Sequence, residues 1–169
     1  DAKRRPPGYR PATHGPSPDA AWIDVPAGEV TLGASIGEEP FTWDNERLAT
    51  TVHVPSFAIE RHNVTNAAFL PFVEAGGYDD RRWWTEADWA WRTASRIDHP
   101  PVWVHDGGRW WWRGMFDLVP LPRPWPVYVS QAEASAFARW RGARLPSEAE
   151  KSCSLGPTRL LLRVTFFTS

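Results

Sequence analysis

Four indoles stand close together in the middle of the chain: Trp83, Trp84, Trp89 and Trp91. An indole face attracts cations, including quaternary ammonium groups, and exposed aromatic faces also hold sugars. These four are the candidate substrate-binding residues. A core use competes with that reading, because large indoles fill space where regular structure is sparse. Most of the twelve Trp are expected to serve the core. Trp110, Trp111 and Trp112 cannot all face one way in a strand, so at least one faces outward or into a groove.

The other chemistry-bearing groups yield less. Asp98-His99 and His105-Asp106 lack the helical spacing of a metal pair, so hydrogen-bonded loop histidines are expected there. His53 and His62 read as structural for the same reason. Trp43-Asp-Asn-Glu46 offers oxygen ligands, but three adjacent polar residues fall short of the roughly six to eight that calcium takes. A turn is expected, with Asp44 and Asn45 bonding nearby backbone. Asn63-Val-Thr65 matches the glycosylation sequon by chance, since Thr65 is needed as a helix cap. Cys153 has neither base nor orienter nearby and does not read as a nucleophile. No catalytic, cofactor-binding or metal-ligating residue is assigned.

Composition narrows the class. The chain has 169 residues, 17 Pro, 12 Gly, one Cys and a net charge of −1. That is the size of one domain. Near-neutrality argues against electrostatic nucleic-acid binding. A single Cys allows no internal disulfide and no thiolate cluster. No apolar run is long enough for a membrane span, and the aromatics argue against wholesale disorder. The sequence opens on Asp1 without a signal pattern. A fragment or a processed product is therefore expected, and the cytoplasm is its expected location.

The elements that must position the indoles can be placed. Residues 1–20 hold five Pro and two Gly and read as a linker arm. Trp22–Val25 and Val30–Leu32 are expected to form a hairpin around Pro26-Ala-Gly-Glu29. Thr51–Val54 is a further strand, continued by Phe57–Ile59 beyond Pro55. Thr65 caps a helix stapled by Val64 and Phe69 and stopped by Gly76-Gly77, with a kink or early end at Pro71. Residues 78–126 lack a helical period. They are expected to be mostly ordered loop pinned by indoles, with one hairpin turning at Gly107-Gly108. Ser130-Gln-Ala-Glu133 is a capping box for a helix ended by Gly142, and Ser147-Glu-Ala-Glu150 repeats the box. Gly156-Pro157 breaks that last helix soon after it starts. Residues 151–169 carry three basic residues, no acid and an apolar β-prone run. This tail is expected to be foreign to the domain, from a frameshift, a retained intron or a mis-called exon.

Several stretches together resemble the formylglycine-generating enzyme/sulfatase-modifying-factor family. They are Trp22–Gly33, Val64-Thr-Asn66 with Phe69, Pro126–Ser130 with Glu133-Ala134, Arg139-Trp140 with Gly142, and Arg144–Glu150. Phe41–Glu46, Glu74–Tyr78, Trp83-Trp84, Trp89-Ala-Trp91 and His99–Trp103 resemble most the C-terminal domain of ergothioneine-biosynthesis sulfoxide synthases. The resemblance implies an irregular α+β fold of C-type-lectin type, incomplete at its C-terminus, spanning residues 21–150. It implies a parent that joins a thiol to trimethylhistidine with non-haem iron and dioxygen. The iron ligands of such a parent lie in an N-terminal DinB-type domain on a His-x-x-x-His-x-Glu helix, a pattern this sequence lacks. The family's motif continues with Trp after Glu150, where Lys151 stands here. The chain is therefore expected to hold no cofactor, to be inactive alone and to be marginally stable. The alternatives are a non-catalytic lectin-like module that binds ligands through Trp, and a fragment of a formylglycine-generating enzyme.

Overall fold

The structure is a computed structural model and describes residues 5–10, 13, 15–33, 49–155 and 167–168. The Trp43–Glu46 turn lies outside the described residues.

The first four strands are β1 (Trp22–Val25), β2 (Gly28–Leu32), β3 (Thr50–Val54) and β4 (Phe57–Glu60). The expected hairpin between Trp22–Val25 and Val30–Leu32 is not formed. Instead β1 pairs with β4 and β2 with β3, all antiparallel. The register runs through both ladders unshifted, with Val25 opposite Phe57 and Gly28 opposite Val54. The four strands are thus one long two-stranded ribbon broken where Pro26 and Pro55 stand. Neither proline has an N–H to give a ladder, so the pairing lapses there and resumes beyond. Pro26 interrupts a strand rather than turning it.

Helix α1 (Asn66–Glu74) begins as expected, with the Thr65 hydroxyl accepting from the Ala68 amide at 3.3 Å. It does not end at Pro71: the Ala75 amide donates to the Pro71 carbonyl at 2.9 Å. Pro71 is exposed, while Phe69, Leu70 and Phe72 are buried and hold the helix to the core. Gly76 turns the chain at φ +73°. Gly77 is required by close approach, since a Cβ there would stand 2.1 Å from the Phe72 ring.

The middle region contains a helix the sequence did not announce. A 3-10 turn (Arg81–Trp83) leads into α2 (Glu86–Ser95). Thr85 caps α2, accepting from the Asp88 amide at 3.1 Å, and Glu86 and Asp88 occupy its first turn. Its stop is Arg96 at φ +53°, a left-handed position without the usual glycine. The expected hairpin at Gly107-Gly108 is present as β5 (Trp103–Asp106) and β6 (Arg109–Arg113), both glycines at positive φ. A third strand, β7 (Leu118–Pro120), pairs with β6.

Helix α3 (Gln131–Trp140) carries the full capping box at Ser130 and ends before Gly142 at φ +68°. After β8 (Ala143–Arg144), helix α4 (Glu148–Leu155) runs eight residues and stops where Gly156 follows. Strand β9 (Phe167–Thr168) pairs with β8. Helix α4 packs on β2 and β3.

The core lies between α1, α3 and the β5–β6–β7 sheet, and it is aromatic. Phe69 contacts Phe72, Phe137 and Trp103 at centroid distances of 5.4, 4.7 and 6.2 Å. Asn66, fully buried, ties these layers together. Its amide nitrogen donates to the Pro122 carbonyl at 2.8 Å, and its oxygen accepts from the Trp103 indole at 3.2 Å. The N-terminal arm touches this body. Tyr9 meets Phe116 edge-on at 5.0 Å and Arg5 pairs with Asp117; just after the arm, the Ala21 carbonyl accepts from the Arg61 amide at 2.8 Å.

Candidate functional site

Trp83 ends the 3-10 turn, Trp84 follows it, Trp89 and Trp91 lie on α2, and the structure gives the four indoles different surroundings. Trp84 is 7% exposed. Its indole donates to the Gly77 carbonyl at 2.9 Å, and its ring meets Tyr78 at 5.6 Å. Trp83 is half-buried against the core, with the Arg82 guanidinium over its ring at 5.3 Å. Its carbonyl accepts from Arg139 at 2.7 Å. Trp89 also packs on the core and carries Arg92 over its ring at 5.4 Å. Trp91, two residues on, projects from a different side of α2 and is 39% exposed. Three of the four rings thus have partners from the chain itself, and Trp91 presents its ring to solvent.

The arginines over Trp83 and Trp89 are held by acids. Arg92 donates to Asp79 at 2.6 Å, and Arg82 donates to both carboxylate oxygens of Asp80. The Arg82 hydrogen bond holds the Asp80 carboxyl below the usual range. The Arg92 Nε is buried without a partner. A cationic ligand seeking either ring would have to displace a guanidinium already seated and paired there.

Most of the remaining described indoles follow the core reading, Trp22 being 38% exposed. Trp103 and Trp112 are buried, and Trp110, Trp125 and Trp140 pack on the same cluster. Trp111 bonds through its indole to the Asp106 carbonyl at 3.3 Å. His99 and His105 flank Trp110, with centroids at 5.4 and 4.6 Å. His99 Nδ1 lies 3.0 Å from the Pro100 carbonyl. Both imidazoles are engaged in ring contacts. Among the described residues no group of three or more His, Cys, Asp or Glu could hold a metal ion. The described donor set therefore does not fit an iron centre.

Two polar anchors were not foreseen in full. Glu133 of the first capping box is 2% exposed. Besides the Ser130 amide it accepts the Tyr78 hydroxyl at 2.6 Å. Burial, with the Glu133 charge beside it, pushes the Tyr78 hydroxyl far above the ordinary tyrosine range, so Tyr78 remains a neutral donor. The cue in the sequence was a capping-box carboxylate on a helix rich in Ala and Phe, which must find a second partner once buried. Glu150 of the second box accepts from Arg144 at 2.9 and 2.6 Å. That bidentate bond holds its carboxyl down at about 2, assisted by the Ser147 amide and hydroxyl and opposed by burial. At the sequon, the Thr65 hydroxyl oxygen is committed to the α1 cap.

The arrangement is that of an α+β domain with small antiparallel sheets, an aromatic core and an indole-bearing helix at its surface. The sequence identifies it further. Residues 10–158 match the sulfatase-modifying factor enzyme 1-like domain, and the chain belongs to that family. It is 43% identical over 129 residues to the hercynine oxygenase of Mycolicibacterium thermoresistibile, covering 75% of this chain and 28% of that protein. To the hercynine oxygenase of Mycobacterium tuberculosis it is 42% identical over 129 residues, covering 75% and 30%. The formylglycine-generating enzyme of Streptomyces coelicolor is 34% identical over 140 residues, covering 76% and 44%. The chain thus spans roughly a third of the length of the hercynine oxygenases it matches. The family expected from the Trp22–Glu150 motifs is borne out, and relatives of both branches appear. The match reaches residue 158, beyond Glu150 and past the end of α4. No helix among the described residues is long and apolar enough to cross a membrane.

Proposed function

We propose that this chain is part of an enzyme that oxidatively joins a thiol to trimethylhistidine, the ergothioneine type of sulfoxide synthase, and that it supplies scaffold and substrate contacts rather than the metal. The observation that carries this reading is the higher identity to hercynine oxygenases, 43% against 34% for a formylglycine-generating enzyme. Hercynine is trimethylhistidine, a quaternary ammonium compound, and indoles suit such a cation. Trp91 is the ring of the four that offers an exposed face, while Trp83, Trp84 and Trp89 pack on the chain itself. In this proposal the domain covers residues 21–150 in a C-type-lectin-like arrangement, and an upstream DinB-type domain brings the iron ligands. The parent is placed in the cytoplasm.

Alone, the chain is expected to make no sulfoxide from iron, trimethylhistidine and cysteine or γ-glutamylcysteine; turnover would sink that part of the proposal. Binding is tested separately by tryptophan fluorescence. Saturable quenching by trimethylhistidine that Trp91→Ala removes supports the reading. Quenching by sugars instead would favour a lectin-like module.

A further inference from the structure

A cavity of about 250 Å³ lies between the start of α3 and the start of α4. Its walls are Val129, Ala134, Leu145 and Pro146, with Ser130, Gln131 and Lys151 adding polar groups to the lining. Ala134 and Pro146 are buried. Lys151 is the one titratable group among the lining residues. The cavity is remote in sequence from the indoles of α2, and nothing proposed above uses it.

Its chemistry selects a ligand. Water alone is a poor match for the four apolar walls, since a space this size would hold several molecules and only Ser130, Gln131 and Lys151 bring polar groups to it. An anion could use Lys151, Ser130 and Gln131 but would leave the four apolar walls unmatched, so it answers to only part of the lining. An apolar cavity of about 150 Å³ accepts a benzene ring, so this volume suits one or two fused rings. An ammonium at the edge of such a space favours a π-face over an aliphatic ring of equal size. We propose that the cavity between α3 and α4 binds a small planar aromatic molecule. The ring lies on Val129, Ala134, Leu145 and Pro146, and the Lys151 ammonium lies against its face. This inference is independent of the sulfoxide-synthase reading, and either can fail without the other.

The probe is 5-fluoroindole, followed by fluorine NMR and by the amide shifts of the full 169-residue chain. Saturable binding is expected with a Kd of roughly 0.1–1 mM, the range open to a ligand of this size. The shifted amides should centre on Ala134, Leu145 and Lys151. Lys151→Met keeps the cavity and removes the charge, and should weaken binding about two- to fivefold. Lys151→Phe places a ring in the cavity and should weaken binding by about tenfold or more, while raising the melting temperature. Should Lys151→Phe fail to fold, the Lys151→Met arm decides. The proposal is overturned by an absence of saturation up to about 5 mM. It is also overturned by shifts centred on Trp91, by equal binding of cyclohexanemethanol, or by the same amides shifting with protein concentration alone, which would mean that a second copy fills the space.

Discussion

Ser130-Gln-Ala-Glu133 and Ser147-Glu-Ala-Glu150 are one local device built twice. In each, the glutamate accepts its own serine amide at 2.7 Å, and the serine hydroxyl accepts the glutamate amide at 3.3 Å. The third partner differs. Glu133 faces the neutral Tyr78 hydroxyl inside an aromatic core, whereas Glu150 faces the Arg144 guanidinium, whose side chain is 53% exposed. Helix α3 buries Ala134, Ala136, Phe137 and Ala138. Residues 151–154 of α4 are only half-buried. The same box therefore anchors to a neutral partner in one place and to a charged one in the other. What separates them is the neighbour the topology delivers.

The largest test of that contrast removes packing. Phe137→Ala on α3 should cost about 3–5 kcal/mol and erase much of the near-UV circular dichroism, because Phe137 contacts Phe69, Phe72 and Trp140. Cys153→Ala on α4 should cost less than about 1 kcal/mol in urea titration. Equal losses would mean that the two helices are equally central. The same dichroism tests the sequence-based expectation of marginal stability, which sharp tryptophan bands would contradict.

Next come the third partners. Tyr78→Phe leaves a buried carboxylate oxygen of Glu133 short of a donor and should cost about 1–3 kcal/mol. That cost should not vary from about pH 5 to 8 through Tyr78, whose hydroxyl ordinarily titrates near 10 and is pushed further up by burial. Arg144→Met should cost less, about 1 kcal/mol, because its guanidinium is half in solvent. Its cost should also follow pH. The Glu150 carboxyl is depressed from 4.5 to about 2 on folding. The stability it contributes is therefore complete above about 4.5 and lost as pH falls toward 2. Urea midpoints of the two proteins should differ steadily at neutral pH and converge as the solution is acidified. A gap that widens in acid would reverse the assignment.

Local signals were legible and distant ones were not. Both capping boxes, the Thr65 cap, the Gly76-Gly77 stop and the Gly107-Gly108 hairpin could be read, since each sits within a few residues of what it controls. The pairing of β1 with β4 could not, because Pro26 looks the same whether it turns a strand or interrupts one. Helix α2 was hidden by indoles on several of its sides and by an arginine where a glycine usually stops a helix. The Tyr78–Glu133 bond spans 55 residues, and Asn66 reaches Trp103 across 37. At the candidate site, the clustering of the four indoles was visible. The guanidiniums over Trp83 and Trp89 depend on how the 3-10 turn and α2 orient their arginines, which spacing alone does not give.

The smallest expected effect separates the local device from its surroundings. Ser130→Ala and Ser147→Ala each delete the hydroxyl that accepts the glutamate amide, a loss typically near 1 kcal/mol. If the box acts only locally, the two losses should match within about 0.5 kcal/mol. A shared neighbour should make each loss non-additive. Combined with Tyr78→Phe, Ser130→Ala should lose less than the sum of the two single changes, because both act on the placement of Glu133. Ser147→Ala combined with Tyr78→Phe should be additive, since the third partner of the α4 box is Arg144 rather than Tyr78. Equilibrium unfolding of the five variants and their parent measures both cycles. Coupling in the second cycle would show that the α4 box reports on the core after all, and the contrast between the two helices would fall.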